Sequence, residues 1–109
     1  MKFVWIYIPM ANKDEARAIA RILIEEKLIA CANIDDGIIS IYPWEGQIQE
    51  SVEAVLIAKT QKELFKFVKR RVEQLHSYSC PCIIALPIKD GNKAYLQWIK
   101  TVTKDRRKI

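Results

Sequence analysis

A long hydrophobic segment in the first half of the chain, residues 29–60, constrains the fold more than any other feature. Two runs rich in β-branched residues, IACANIDDGIISIY and QIQESVEAVLIAKT, flank the stretch Tyr42-Pro43-Trp44-Glu45-Gly46. Such side chains suit a pleated, half-buried surface, so the segment predicts a β-hairpin. At about 3.3 Å per residue, each arm would reach roughly 40 Å. That is long for a strand, since about five or six residues is the usual strand length. We therefore expect the outer part to be bent, capped, or buried against another copy of the chain.

The residues before the hairpin predict a strand and a helix. Residues 2–10 are a short apolar run typical of a buried strand. Asn12, with Glu15 three positions later, has the pattern of a capped helix start. Apolar residues then recur at helical spacing to about residue 28. Within the hairpin, Asp36-Gly37 predicts a bulge or bend, and Pro43 requires that its strand end there or lie at a sheet edge.

The residues after the hairpin predict two more helices separated by a strand. Thr60 and Glu63 have the spacing of a second capping box, for a helix that ends near His76. A loop over residues 77–81 then leads into CIIALPI, a run typical of a buried strand. Residues 95–102 carry apolar side chains at i, i+3, i+4 and i+7, which predicts a third helix.

The resulting order, β-α-β-β-α-β followed by a helix, predicts the fold class. It is an α+β ferredoxin-like βαββαβ sandwich with a C-terminal helix and an extended hairpin, formed by residues 1–109 as a single domain. Two helices cover only one face of such a sheet. Because the second hairpin arm carries apolar residues on both faces, we expect the open face or the hairpin to mediate self-association.

Composition and charge narrow the compartment and the partners. The formal charge is +5, but much of the basic excess falls in one terminal cluster: Lys100, Lys104, Arg106, Arg107 and Lys108. Without interleaved aromatic residues this cluster predicts a solvated helix end, not a nucleic-acid interface. The three cysteines form no regular disulfide pattern, which favours a reducing compartment. No run approaches the roughly 18 apolar residues of a membrane span, so we expect a cytoplasmic protein.

Five short blocks give the chain a family resemblance. EEKLIACANI, IYPWEGQIQES, LIAKT, LHSY followed by a proline, and YLQWI occur in this order between about residues 4 and 100. In combination they closely resemble the divalent-cation tolerance proteins of the CutA family. The resemblance implies a ferredoxin-like protomer, a homotrimer formed through the long hairpins, a cytoplasmic protein and a link to copper and other divalent metals. It implies no catalytic activity.

The resemblance also implies a copper site, which this chain matches only in part. The family's proposed ligands are a Cys near the end of the first strand and a His-His pair before the loop Tyr. The corresponding residues here are Ile8 and Leu75-His76, so one ligand of the three is retained. The family's loop pattern, His-Pro-Tyr and then Pro-Glu, is replaced by His76-Ser77-Tyr78 and then Pro81-Cys82.

Two candidate sites follow from the residues themselves. His76, Cys80 and Cys82 are close in sequence and of the types that bind copper or zinc. The alternative is that Cys82 is a small core residue and His76 a helix C-terminal residue. Lys59, Tyr78, Tyr95 and Trp98 could line a cleft for a small anion, or could simply pack in the core and interfaces. Trp44 is expected at the trimer interface.

These features predict a homotrimeric, non-enzymatic protein of divalent-cation tolerance and metal-ion response. No cofactor is obligatory; copper or another divalent cation is the expected ligand. The alternative is a regulatory module resembling the PII signalling proteins, which would bind a small anion or a partner protein between subunits. One histidine, no nucleophile elbow, no glycine-rich phosphate loop and no HExxH motif argue against catalysis. We expect neither nucleic acid nor a membrane as a partner.

Overall fold

The computed structural model describes residues 2–104 and confirms the α+β class. The elements in chain order are β1 (Phe3–Met10), α1 (Lys13–Glu25), β2 (Cys31–Trp44), β3 (Gln47–Gln61), a short 3-10 helix (Lys62–Leu64), α2 (Phe65–Leu75), β4 (Ile84–Pro87) and α3 (Lys93–Val102). The strands form one antiparallel sheet in the order β2-β3-β1-β4. Of the predicted basic cluster, Arg106, Arg107 and Lys108 lie outside the described residues.

The core lies between one face of the sheet and helices α1 and α2. Alternate residues of β1 point into it, and each is at most 5% exposed: Val4, Ile6, Ile8 and Met10. Their partners across the strand pair, Ala54 to Thr60 at every second position of β3, are buried on the same face. Fully burying a side chain such as Ile6 stabilises the fold by about 1.5–3 kcal/mol. Because successive side chains of a strand point to opposite faces, these four residues face the helices, and the residues between them lie on the other face.

Helix α1 begins where the sequence predicts and ends earlier. The Asn12 side chain accepts a hydrogen bond from the Glu15 N–H at 2.8 Å, which confirms the predicted cap. The helix stops at Glu25, not near residue 28, because Lys27 adopts a left-handed conformation with φ of 58°. The Leu28 N–H then donates back to the Leu23 carbonyl, a closure that usually uses glycine.

The hairpin forms from β2 and β3, as predicted. Its tip is the two-residue turn Glu45-Gly46, and both residues have positive φ, 52° and 79°. This is the backbone of a type I′ turn, whose twist matches that of the flanking strands. The register shifts between Asp35 and Ile38, so the predicted bulge is present around Gly37. Pro43 lies on β2, an edge strand of the sheet, where a missing N–H is tolerated.

The predicted N-cap at Thr60 is wrong. Strand β3 continues to Gln61, and the fully buried Thr60 hydroxyl donates to the Leu28 carbonyl at 2.7 Å. The hydroxyl therefore satisfies a backbone group at the end of α1 instead of starting a helix. The chain passes through the 3-10 helix before α2, which ends at Leu75 with His76 as its C-cap, as predicted.

Strand β4 and helix α3 lie at the margins of the sheet. The sequence predicted a buried strand here. The strand is present as β4, but it has only four residues, and Ile84 and Leu86 are 50% and 44% exposed. Ile84 and Leu86 pair with Tyr7 and Trp5 of β1, so their side chains lie on the face that α1 and α2 do not cover. Helix α3 covers one end of that face, where buried Gln61 donates to the Thr103 hydroxyl at 2.8 Å. Among residues 2–104, no helix has the length and apolar character needed to cross a membrane.

Candidate functional site

His76 is held by hydrogen bonds at both ring nitrogens. It is the C-cap of α2, and only 9% of it is exposed. Its Nε2 lies 2.8 Å from the Pro9 carbonyl, which can only accept, so Nε2 carries the proton. Its Nδ1 accepts from the Tyr78 N–H at 3.0 Å. The ring thus fastens the loop to the end of β1 and has no free lone pair for a metal.

The two loop cysteines are exposed and do not join His76 in a metal-binding group. Within residues 2–104, no set of three or more His, Cys, Asp or Glu side chains is arranged to hold a metal ion. Cys80 and Cys82 are free thiols. Burial and the nearby charge of Glu53 raise the pKa of Cys82, which keeps its thiol protonated at neutral pH. Ile8, at the family's cysteine position, is fully buried in the core.

A buried carboxylate lies beside this loop. Glu53 is on the face of β3 opposite the helices and is 8% exposed. The Tyr78 hydroxyl donates to its Oε2 at 2.7 Å. Burial, followed by this hydrogen bond to Glu53, raises the pKa of Tyr78 well above its usual range, so the phenol remains a donor. Tyr78 also packs on His76, with 4.7 Å between the ring centroids.

Glu53 and Tyr78 form the inner wall of a cleft of about 370 Å³. Pro9 also lines it, and the hairpin contributes Tyr42 and Trp44. The Tyr42 hydroxyl is within 3.4 Å of the Ser51 hydroxyl across the hairpin. Ser79, Cys80 and Cys82 of the loop complete the lining. We call this space the aromatic cleft: it combines three aromatic side chains with one carboxylate.

The loop is positioned by Glu15 at the start of α1. Its carboxylate accepts from the Ser77 N–H at 2.8 Å and from the Ser77 hydroxyl at 3.1 Å. It also accepts from the Ala11 N–H at 3.0 Å. A helix N-terminus favours a negative side chain, so this residue stabilises α1 while it holds the loop. The loop that carries Tyr78 is therefore fixed at both His76 and Ser77.

The residues predicted to line a common cleft lie in two places. Lys59 donates to Asn33 Oδ1 at 2.6 Å and approaches Cys31 Sγ at 3.9 Å. Tyr95 belongs to the same group, since burial and a hydrogen bond with Cys31 raise its pKa. The rings of Tyr95 and Trp98 have centroids 5.5 Å apart. Tyr78, by contrast, contacts Glu53, six positions from Lys59 along β3 and so roughly 20 Å away.

Sequence reasoning missed Glu53 and Tyr42 as side chains that line the aromatic cleft. The signal for Glu53 is present in the sequence, because it is the one carboxylate between Val52 and Ala58, a stretch that is otherwise apolar. Glutamates in such a stretch need a partner, since burying a charge is costly. Its partner, Tyr78, is 25 positions away and is brought to it only by the fold.

Comparisons with known proteins give one consistent family. A family model described as CutA1 divalent ion tolerance protein matches residues 4–102. The divalent-cation tolerance protein CutA of Thermus thermophilus is 44% identical over 98 residues, covering 90% of this chain and 95% of that protein. The chloroplastic protein CutA 1 of rice, Oryza sativa subsp. japonica, is 43% identical over 92% of this chain. The chain spans 56% of that longer relative.

Solved structures agree with the sequence comparisons. The crystal structure of CutA1 from Oryza sativa superposes with a TM-score of 0.94 at 41% identity, covering 96% of both chains. The divalent cation tolerance protein from Thermus thermophilus gives a TM-score of 0.90 at 43% identity, covering 95% of this chain and 100% of that one. The similarity therefore extends over the hairpin, the loop and the third helix.

Proposed function

We propose that this chain, which belongs to the CutA1 divalent ion tolerance family, acts in divalent-cation tolerance as a homotrimer and without catalysis. The observation that supports the role is the match over residues 4–102, which includes nearly every described element. The link to divalent cations comes from the names of these relatives. We infer the trimer from the family resemblance of the hairpin and loop motifs.

The exposed hairpin supports self-assembly. Large apolar side chains cover one face of it beyond the helices, and the most exposed are Ile39 at 63%, Ile41 at 64%, Ile48 at 82% and Val52 at 67%. Contiguous exposed apolar surface of this kind normally marks an interface. Strand β2 also leaves a 14-residue edge open to pairing with another chain. Trp44, 51% exposed beside the turn, supplies the large aromatic anchor that we expect at the interface.

For the metal, we assign Cu(I) to Cys80 and Cys82. These thiols are exposed, one residue apart, and free. His76 is left out because both of its ring nitrogens are already bonded. Soft thiolate ligands select Cu(I) over hard divalent ions. Binding must displace the proton of Cys82, whose pKa is raised, so the affinity for Cu(I) should increase with pH.

A Cu(I) competition titration tests this assignment. Purified protein is titrated anaerobically against a chromophoric Cu(I) chelator at two pH values. We expect about one Cu(I) per chain, and at least about a tenfold loss of affinity, or roughly 1.4 kcal/mol, in the Cys80→Ser/Cys82→Ser variant. The matched control is Cys31→Ser, which removes the third thiol at the other end of the sheet. Equal Cu(I) affinity in the double variant and the wild type would exclude this site.

We place the protein in a reducing compartment, the cytoplasm, and assign it no nucleic-acid or membrane partner. Three free cysteines support a reducing environment. Among relatives, some names specify the chloroplast and one structure is described as periplasmic, so the compartment is not a property of the fold. Its main partner in this proposal is a second and third copy of the same chain.

A further inference from the structure

We propose that Cys31 and Lys59 form a modification site: on oxidation, one oxygen atom joins the Cys31 Sγ to the Lys59 Nζ in a reversible covalent link between β2 and β3. The link is independent of the copper assignment, because Cys80 and Cys82 take no part in it. It is also independent of the trimer, because both reacting side chains belong to one chain.

The distance between the two side chains is the first argument. The Lys59 Nζ lies 3.9 Å from the Cys31 Sγ, although the residues are 28 positions apart in sequence. They are direct partners across the antiparallel strands β2 and β3, so the sheet itself keeps an amine beside a thiol. Lysine has a flexible four-carbon stem, so its nitrogen can move toward the sulfur without a change in the backbone.

The polar groups around the pair are the second argument. The Lys59 Nζ donates to the Asn33 Oδ1 at 2.6 Å, and the Cys31 Sγ lies 4.0 Å from the same oxygen. The Tyr95 phenol of α3 forms a hydrogen bond with Cys31. Within residues 2–104, Lys59 forms no ion pair, so its nitrogen is bonded to a neutral amide and not to a carboxylate. Reactive cysteines typically lie beside a cationic side chain, as Cys31 does here.

The reaction balances with dioxygen as the oxidant. After the ammonium proton has passed to water, the Cys31 S–H bond, one N–H bond of the Lys59 amine and the O–O bond break. New S–O and N–O bonds form around one oxygen atom, and the other oxygen leaves as water with both hydrogens. Sulfur and nitrogen each lose two electrons, and dioxygen gains four. Two molecules of a dithiol return four electrons and restore the thiol and the amine, which makes this a reversible oxidation of cysteine.

The site lies at the opposite end of the hairpin from its turn. Cys31 pairs with Lys59 at one end of the two strands, and Trp44 pairs with Gln47 at the other, roughly 40 Å away. Tyr95 belongs to α3 of the same chain. The reacting groups are in contact within one chain, so burial by another copy would not separate them. Dioxygen is small enough to reach a partly buried thiol such as Cys31.

Mass spectrometry of the wild-type protein tests the proposal. The assembled protein is kept in oxygen-saturated buffer and digested without a reductant by a protease that cleaves after glutamate, which separates Cys31 from Lys59 at Glu45. We expect two peptides joined through Cys31 and Lys59, with the mass of both plus one oxygen atom and minus two hydrogen atoms. Dithiothreitol should return the separate peptides. A joined mass without the added oxygen, or oxidised Cys31 with no link to Lys59, would overturn the proposal.

Variants and a denatured control assign the link to this site. Lys59→Arg keeps the charge but removes the amine, and Cys31→Ser removes the thiol, so each should abolish the joined peptides. Cys80→Ser/Cys82→Ser should form them as the wild type does, which separates this link from the copper assignment. Wild-type protein oxidised in urea should not form them, because the fold alone brings the two residues together. Joined peptides that persist in Lys59→Arg, or that form equally in urea, would contradict the site. These comparisons need no particular state of assembly.

Discussion

The Glu15 carboxylate joins the start of α1 to the loop after α2. It accepts one hydrogen bond from the Ala11 N–H and two from Ser77. Burial alone would raise the pKa of Glu15, but these hydrogen bonds, helped by the neighbouring His76, outweigh burial, and the net pKa is lowered. The folded protein therefore favours the charged form of this carboxyl more than the unfolded chain does.

Glu15→Gln should lower the free energy of unfolding at neutral pH by about 1 kcal/mol, a value reduced for partial exposure. Because the folded pKa is the lower one, this stability is present above the unfolded pKa and is lost as the pH falls through the folded pKa. Urea unfolding over a pH series measures the difference. Asp14→Asn controls for lost charge in the first turn of α1. A wild-type advantage that stays constant into acid would contradict the linkage.

At the residue scale, the sequence predicted the parts of the site that are close along the chain. His76 at the end of α2 and Tyr78 in the following loop are where the periodicity of α2 places them. The pairing of Tyr78 with Glu53 could not be predicted, because it depends on how the loop crosses the open face of the sheet. For the same reason, Lys59 and Tyr78 could not be assigned to separate places from their sequence positions.

Among the elements, the hairpin depends on its turn. Glu45 has a φ of 52°, a conformation that disfavours most side chains, and Gly46 follows at 79°. Type I′ turns strongly prefer Asn-Gly because asparagine tolerates the left-handed region. Gly46 therefore suits this turn well, whereas Glu45 does not.

Glu45→Asn should stabilise the protein by about 0.5–1 kcal/mol, since it relieves the left-handed conformation at the first turn position. Glu45→Gln, which removes the charge but keeps the longer side chain, should give little change. Thermal unfolding of the wild type and both variants measures the effect. Equal effects of the two substitutions would show that the left-handed conformation of Glu45 does not limit stability.

The elements themselves were mostly predictable, and their ends were not. The short apolar run of β1 and the 3.6-residue spacing in the helices predicted these elements and their order. Thr60 has the sequence pattern of a cap, but tertiary structure uses its hydroxyl for the Leu28 carbonyl instead. The burial of β4 depends on what covers the open face, and α3 covers only one end of it. Local sequence patterns predict neither the hydrogen-bond partner of Thr60 nor the burial of β4.

On the scale of the whole molecule, the hairpin makes the protomer elongated, with extents of 45 × 27 × 23 Å. Its outer half lies beyond α1 and α2 and exposes Ile39 and Val52, which face each other across the two strands. A long apolar edge of this kind invites pairing with further chains unless a closed assembly buries it. We therefore propose that this chain exists as a closed trimer held together by its hairpins.

Sedimentation equilibrium of the purified protein tests that claim most directly. We expect three times the 12.7 kDa mass of one chain over a wide range of concentrations. Ile39→Lys/Val52→Lys should lower the mass toward that of one chain, because charges replace the apolar face. Ala18→Lys, which adds a lysine to the exposed surface of α1, should not. A wild-type mass of one chain, or a trimer that persists in the double variant, would contradict assembly through the hairpin.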